Sequence, residues 1–206
     1  MALISTLATV GKAITASIVN TIVGVVNSTG STLMVPTVAG TGVTVSTLGR
    51  VTFTGSTGVS LNNCFTSAFK NYRLDIVVTA ASASGAVVAV LRSGGADNVA
   101  GNYVYETLSG SATTAAAAAS GAVTSWALAP SGITGYAALS ADLYQPQIAD
   151  LTLIGVGYKI RSSATTMTVG VMGGFHGLAS SFDGLTFTST SGTITGYATV
   201  TGSNAG

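Results

Sequence analysis

The chain has 206 residues, of which only 6% are charged, and its seven basic and six acidic side chains give a net charge of +1. An average soluble domain carries about 25% charged residues, so this chain has neither the basic patch that nucleic acid requires nor a charge that keeps copies apart. No run of about 20 predominantly apolar residues is present, and we therefore expect no membrane span.

The first 49 residues contain one charged side chain, Lys12. Isoleucines recur at a spacing of four residues between positions 14 and 22, and two valines continue the stripe, which predicts one apolar helical face. We therefore expect residues 1–41 to form a short, partly helical arm that anchors the chain on a partner. The interface candidates on this face are Ile14, Ile18, Ile22, Val25 and Val26.

From residue 42 onward the apolar residues alternate with polar ones, as they do in β-strands with one buried face. The stretch GVTVSTLGRVTFTG at residues 42–55 predicts a hairpin. Turn signals rich in Gly, Ser and Asp separate the remaining strand candidates, and no helical pattern alternates with them. Residues 42–206 are therefore expected to form an all-β domain, an antiparallel and jelly-roll-like β-sandwich. The other strand candidates are residues 72–80, 86–92, 103–108, 151–160, 166–175, 184–190 and 192–202.

Two segments are interpreted as long loops at the ends of the sandwich. Residues 109–122, SGSATTAAAAASGA, have low complexity and mix helix-favouring alanines with flanking Gly, Ser and Thr. Residues 128–147, LAPSGITGYAALSADLYQPQ, contain two prolines and several small residues. Loops of this length often carry the function of a β domain.

Three of the 13 charged side chains, Lys70, Arg73 and Asp75, follow the single cysteine, Cys64. In a strand, Arg73 and Asp75 lie side by side on the outer face. Catalysis would require a nucleophile or an acid–base partner within hydrogen-bond reach, and no other candidate lies close in sequence. We therefore interpret the charges as a solvated ion pair and Cys64 as chemically dispensable.

Other polar residues resemble sites only weakly. His176 precedes Asp183 by seven residues, but it is the only histidine in the chain, which rules out a histidine-based metal cluster within one copy. Asp97 and Asn98 lie in a loop that lacks the alternating acidic ligands of a calcium loop. We predict no catalytic residue, metal site or cofactor.

Aromatic residues offer a second kind of site. A platform that stacks on sugar rings would form if the loops that carry them converge, although aromatic residues in a β domain more often lie in the core or at a subunit interface. The candidates for glycan contact are Tyr103, Tyr105, Trp126, Tyr136 and Tyr144.

Three stretches, SLNNCFTSAFKNYRLDI at residues 60–76, VLRSGGADNVAGNYVYE at 90–106 and FDGLTFTSTSGTITGYATVTG at 182–202, resemble a group of tailed-bacteriophage virion proteins. The order of the chain, a short N-terminal segment, an extended stretch and one antiparallel β domain, is similar as well. The resemblance implies a minor tail, tail-fibre or capsid decoration protein located in the virion. It also favours a homotrimer.

Composition and resemblance together predict a non-enzymatic virion structural protein. We expect it to oligomerise, to bind other virion proteins, and to decorate or stabilise the particle surface. The alternative is a tail-fibre or tail-tip module that recognises host surface glycans. A glycan-cleaving enzyme is a third class, but the paired carboxylates that it requires are not visible in a sequence whose six acidic residues are isolated from one another.

Overall fold

The computed structural model describes residues 31–161 and 165–204, apart from the side chain of Ser131. These residues form β-strands and turns, without a helix among them. The apolar stripe predicted between positions 14 and 26 lies outside the described residues, and the arm therefore stays a prediction.

The strands form two sheets, and the chain crosses between them several times. The strand bounds are β1 Ser31–Leu33, β2 Thr37–Ala39, β3 Val43–Val45, β4 Val51–Ser56, β5 Gly58–Asn62, β6 Asn71–Ala81, β7 Gly85–Ser93, β8 Ala96–Asp97, β9 Tyr103–Ser111, β10 Thr114–Val123, β11 Trp126–Ile133, β12 Ala137–Tyr144, β13 Asp150–Arg161, β14 Met167–Ser180, β15 Gly184–Ser189 and β16 Ile194–Ser203.

The larger sheet, sheet A, has the strand order β10-β9-β14-β13-β12-β6-β16-β4-β3, and the smaller, sheet B, has the order β11-β7-β15-β5-β2. Neighbouring strands along both paths are antiparallel. The predicted fold class, an all-β antiparallel sandwich, is confirmed. The hairpin predicted at residues 42–55 is present as β3 and β4.

Apolar side chains from both sheets meet in one core. Phe53 of sheet A and Phe187 of sheet B are fully buried, and their rings stand edge to face with centroids 5.5 Å apart. Tyr103 of sheet A and Trp126 of sheet B form a second such pair at 4.9 Å. Aromatic pairs in this arrangement add about 0.5–1.5 kcal/mol beyond the burial of their area, so these two pairs help to hold the sheets together.

Alternation of exposure along the strands gives sheet A two faces. In β6, Tyr72, Leu74, Ile76 and Val78 are buried against sheet B, whereas the side chains between them point away from the core. Residues that point away from sheet B are called here the outer face of sheet A.

The low-complexity segment at residues 109–122 is not a loop, and the prediction made for it is wrong. Residues 109–111 end β9, a two-residue turn follows, and the alanine run lies in β10. The turn begins at Ala112, whose φ of +50° is typical of hairpin turns but is usually provided by Gly or Asn. The pairing of β10 with β9 compensates for the weak strand propensity of alanine.

The second predicted loop, residues 128–147, is also mostly strand. It contains the end of β11 and all of β12. Every second residue of β12, from Ala137 to Leu143, is buried, and β12 pairs with β6 and β13 along its whole length. The strand therefore occupies the middle of sheet A.

Residues Leu33–Gly206 group as one compact unit. Strand β2, which lies within the predicted arm, pairs with β5, so part of the segment before residue 42 belongs to sheet B. The described residues include no helix of the length and apolarity that crossing a membrane requires.

Candidate functional site

The outer face of sheet A carries a shallow apolar groove. Its floor follows from the strand register, which aligns Leu108, Val171, Gly157, Ser140 and Asp75 across β9, β14, β13, β12 and β6. Five strands at a spacing of about 4.8 Å make this row roughly 19 Å long. Since the side chains of one row share a face, they form a continuous surface.

A second row runs parallel to the first. It aligns Gly110, Val169, Lys159, Ala138 and Val77 across the same five strands. We call the depression between and above these two rows the outer groove, and its volume is about 750 Å³.

Glycine creates the depression. A Cβ atom added at Gly110 or Gly157, which both line the groove, would meet no atom within 4 Å, so the space above these backbones is open. Beside them stand larger apolar side chains: Leu108 is 57% exposed and Val171 is 56% exposed. A smaller depression of about 560 Å³ adjoins the groove between β10, β9 and β14.

The two ends of the outer groove differ in chemistry. The end on β9 and β14 is apolar, whereas the end on β6 and β12 carries the hydroxyl of Ser140, which donates a hydrogen bond of 2.6 Å to Asp75. Lys159 lies in the second row. A ligand in the groove would therefore contact apolar carbon at one end and hydrogen-bonding groups at the other.

The charged residues singled out in the sequence lie beside this polar end. Arg73 forms ion pairs with Asp75 at 3.4 Å and with Asp142, on the neighbouring strand, at 3.7 Å. All three side chains are about half exposed, and pairs of this kind contribute about 0–1 kcal/mol. The interpretation of Arg73 and Asp75 as outer-face neighbours agrees with this geometry, while Asp142 was missed because its strand was interpreted as a loop.

Cys64 is fully buried, and its thiol lies 3.6 Å from the carbonyl oxygen of Leu61. Burial raises the pKa of the thiol to about 12. The thiolate is the nucleophilic form, so Cys64 remains a neutral, unreactive side chain at physiological pH.

The aromatic residues proposed for glycan contact do not come together. Tyr103 and Trp126 are buried in the core, which removes them from any surface platform. Tyr136 and Tyr144 are exposed but flank opposite ends of β12, about 27 Å apart at the rise of an antiparallel strand. Tyr105 is half-buried on β9. Of the five, Tyr144 is the one on the outer face of a strand, in register with Leu153 and Asn71 and four residues along β12 from Ser140.

His176 lies in β14 and is fully buried. The rings of Tyr103 and Phe182 surround it at centroid distances of 4.5 Å and 5.0 Å. Among the described residues, neither ring nitrogen has a hydrogen-bond partner. Burial lowers the pKa of His176, and the nearby backbone of Leu178 only partly offsets this effect. The imidazole is therefore a neutral core side chain.

Asp97, considered above as an oxygen ligand, is already paired. Arg92, which is nearly buried, forms an ion pair with Asp97 and donates hydrogen bonds to Asn62 at 2.8 Å and to Thr186 at 2.7 Å. Arg92 also donates to the carbonyl of Gly95. These bonds fix the turn after β7 to the outer face of sheet B. The described residues contain no group of three or more His, Cys, Asp or Glu side chains arranged to hold a metal ion.

No protein-family model matches the chain, and no curated protein matches its sequence. Among solved structures, the chain is similar to the SPRY domain of human HERC1, with 14% identity, coverage of 73% of this chain and 92% of that chain, and a TM-score of 0.31. It is also similar to the Emp47p carbohydrate recognition domain, with 9% identity, coverage of 82% and 88%, and a TM-score of 0.29. Both similarities are weak, and neither assigns an activity or a ligand to this chain.

Proposed function

We propose that the chain is a non-enzymatic structural protein of a bacteriophage virion that stabilises the particle surface by packing against copies of itself and against other virion proteins. The observation that carries the proposal is the outer groove, where large apolar side chains stand uncovered on the broad face of sheet A. Leu108, Val169 and Val171 are each about half exposed. Contiguous apolar patches of this kind mark interaction surfaces.

The energetics favour contact. Covering apolar surface contributes about 25 cal/mol per Å², and a chain with a net charge of +1 meets little electrostatic repulsion from a second copy. The resemblance of residues 60–76, 90–106 and 182–202 to tailed-phage virion proteins supports a structural role in the virion. In this proposal the apolar stripe predicted between positions 14 and 26 provides a further apolar surface.

Three polar side chains that the sequence singled out are engaged in structural roles. Cys64 is a buried thiol with a raised pKa, His176 is enclosed by aromatic rings, and Asp97 is paired with Arg92. The remaining carboxylates near the groove, Asp75 and Asp142, share one arginine. This arrangement supports a binding role rather than a chemical one.

A single substitution in the groove tests the proposal. Val171→Asp places a carboxylate where a partner would bury it, and an unpaired buried carboxylate costs several kcal/mol. Because Val171 is 56% exposed in the isolated chain, the variant should fold normally. We expect it to be lost from purified virions of the encoding phage, measured by co-sedimentation and quantitative immunoblotting, while its circular dichroism matches that of the parent.

The matched control is Leu48→Asp. Leu48 is 76% exposed in the turn between β3 and β4, at the opposite edge of sheet A. This variant should enter particles as the parent does. A parent chain that never co-sediments with virions would overturn the proposal, and equal incorporation of Val171→Asp would show that the groove is not the contact surface.

A second candidate is a module that binds host surface glycans. The polar side chains of the outer groove favour it, because Asp75, Ser140 and Lys159 offer hydrogen-bonding groups next to apolar carbon. Tyr144 is exposed on the same face, four residues along β12 from Ser140. Binding of the parent on a glycan array, with loss of signal in Ser140→Ala and Tyr144→Ala, would support this candidate. Loss of particle assembly without any glycan signal would favour the structural role.

A further inference from the structure

The two main strand paths end in four edge strands, and β1 and β8, which pair with β16 and β7 beside these paths, have only three and two residues. Three of the four edge strands are protected against pairing with another chain. Strands β2 and β3, at one end of each sheet, have three residues each. Strand β11, at the other end of sheet B, contains Pro130, and its register against β7 shifts twice. Short strands, proline and bulges are the devices by which proteins block edge-to-edge association.

The fourth edge, strand β10, has none of these protections along most of its length. It is ten residues long, and it pairs with β9 one-to-one from Thr114 to Ser120 before a bulge interrupts the register. This run contains no proline and no charged residue, and its residues from Thr114 to Ala119 are exposed. Within the described part of the chain, no strand pairs with the other side of β10.

We propose that β10 pairs in antiparallel orientation with β10 of a second copy, about a two-fold axis at Ala117, so that sheet A continues from one copy into the next. Ala117 is the midpoint of the regular run, and the two-fold places it opposite its own equivalent. The proposal goes beyond the outer groove, because it identifies a contact between copies that is made by the backbone.

A second copy fits this edge for geometric reasons. In an antiparallel ladder every second residue turns both its N–H and its C=O toward the open side, so a seven-residue overlap of two identical edges forms about six backbone hydrogen bonds. Alanine on both strands introduces no steric conflict. An isologous contact of this kind requires one surface that is complementary to itself, which an antiparallel edge strand provides.

Electrostatics do not oppose the contact. The one charged residue on β9 and β10 is Glu106, which is in register with Ala119. Across the proposed axis, two copies of Glu106 are separated by at least three strand spacings, about 14 Å. That distance exceeds the screening length of about 8 Å at physiological ionic strength.

Pairing also extends the outer groove. Leu108 and Ala117 are neighbours in register, so the apolar row that ends at Ala117 in one copy continues through Ala117 and Leu108 of the other. The joined face offers a partner an apolar surface of twice the length. The virion role rests on the function proposed above, whereas the edge contact can be measured without any phage.

A charge-exchange experiment tests the contact in the full-length chain. Ala117→Lys and Ala117→Asp each place like charges directly opposite each other across the axis, which disfavours pairing. We expect each variant alone to self-associate about tenfold more weakly than the parent, a difference of about 1.4 kcal/mol, by sedimentation equilibrium. An equimolar mixture of the two variants should regain parental association. Leu48→Lys, at the opposite edge, should behave as the parent does.

Hydrogen–deuterium exchange localises the effect. Because an edge-to-edge contact is small, the dimer should dissociate on dilution, and amides within residues 114–120 should exchange faster at low concentration. Unchanged exchange of these amides, or undiminished association of Ala117→Lys, would overturn the edge contact. An assembly with three-fold symmetry alone, in which β10 stays unprotected, would also overturn the edge contact. If the parent enters virions but β10 stays unprotected, the edge contact is refuted and the proposed virion function is not. If copies pair through β10 but the chain never enters virions, the virion function is refuted and the edge contact is not.

Discussion

Two ten-residue strands of the same sheet, β16 and β10, have opposite surroundings. In β16 every second residue is buried and the residues between them are half-buried, without interruption from Ile194 to Ser203. In β10 eight residues are exposed and two are half-buried, so neither face is covered. Strand β16 lies between β6 and β4, whereas among the described strands β10 has a partner on one side only.

The difference shows that the alternation of burial comes from the second layer and not from the strand itself. Both strands are held by a regular antiparallel ladder, but β16 lies within the part of sheet A that packs on sheet B. The sequence reflects this: β16 has Ile, Ala and Val on its inner face, while β10 has small residues on both faces. A strand without a second layer needs no apolar side, and its sequence then shows no period.

Strand β14 crosses from one environment to the other. On the face that points toward sheet B, Met172 and His176 are buried, whereas Thr168 and Gly170, nearer the N-terminal end of the strand, are only half-buried. The uncovered half of sheet A, toward β10, therefore begins within β14. The outer face of this half carries the apolar end of the outer groove, where Val169 and Val171 are about half exposed. This is the region in which we propose that the chain meets its partners.

Truncation of a large core side chain should have the largest effect on the stability of the fold. Phe187 is fully buried against Phe53 in the covered half, and Phe187→Ala should lower the free energy of unfolding by about 3–5 kcal/mol, through lost transfer energy and a residual cavity. Urea denaturation at low protein concentration measures this change in the free energy of unfolding.

The control for this substitution lies in the uncovered half. Leu108→Ala removes a side chain that is 57% exposed, so its effect on unfolding of the isolated chain should stay within about 0.5 kcal/mol. A loss of several kcal/mol at Leu108 would mean that this region is covered within one copy, and the contrast between the two halves would fail.

A change of pH should have an intermediate effect on the free energy of unfolding, because His176 is buried in the covered half of β14. Burial lowers its pKa in the folded state below the ordinary value of 6.5. The unfolded chain therefore binds a proton as the pH falls below 6.5, while the folded chain does not, and stability is lost in that direction. The slope approaches about 1.4 kcal/mol per pH unit at most for one proton.

Thermal or urea unfolding between pH 7.5 and 5.5 checks this dependence. His176→Leu removes the titrating group and keeps an apolar side chain of similar size among Tyr103, Phe182 and Trp126, so its stability should vary less over the same range. If the parent is equally stable at both pH values, His176 is protonated as easily in the folded chain as in the unfolded one, and its burial is not as described.

The sequence predicts the covered half of the molecule well. Alternation in β6, β13 and β16 points to strands with one buried face, and the side-by-side placement of Arg73 and Asp75 follows from it. The same signal was available for β12, where Ala137, Leu139 and Ala141 alternate with polar or small residues. Proline and glycine in the surrounding segment outweighed it, and the strand in the middle of sheet A was missed.

The uncovered half could not be predicted for a physical reason. Strand β10 lacks both the alternation and the Asn-Gly or Asp-Gly turn that identify a hairpin, since its turn uses Ala112 at positive φ. The outer groove depends on register, which brings Leu108, Val171 and Gly157 together from strands up to 63 residues apart in sequence. Local pattern does not contain that information. The burial of Tyr103 and Trp126 likewise depends on how sheet A and sheet B pack face to face.

The smallest effect on stability is expected from replacing an alanine of β10 by threonine. The same replacement in β16 should change stability in the opposite direction. Threonine has a higher strand propensity than alanine, on a scale that spans about 1 kcal/mol. Ala116 is exposed and pairs with Ser109, so Ala116→Thr should stabilise the monomer by about 0.5 kcal/mol. Ala198 is fully buried and pairs with Ile76, so Ala198→Thr should cost about 1–3 kcal/mol, because it overpacks the core and buries a hydroxyl.

Both variants are compared with the parent by urea denaturation below the concentration at which the chain self-associates. Propensity governs the first site because no second layer lies over it, and packing governs the second. Destabilisation at both sites would mean that a face of β10 is covered within one copy, and the contrast between the two strands would fail.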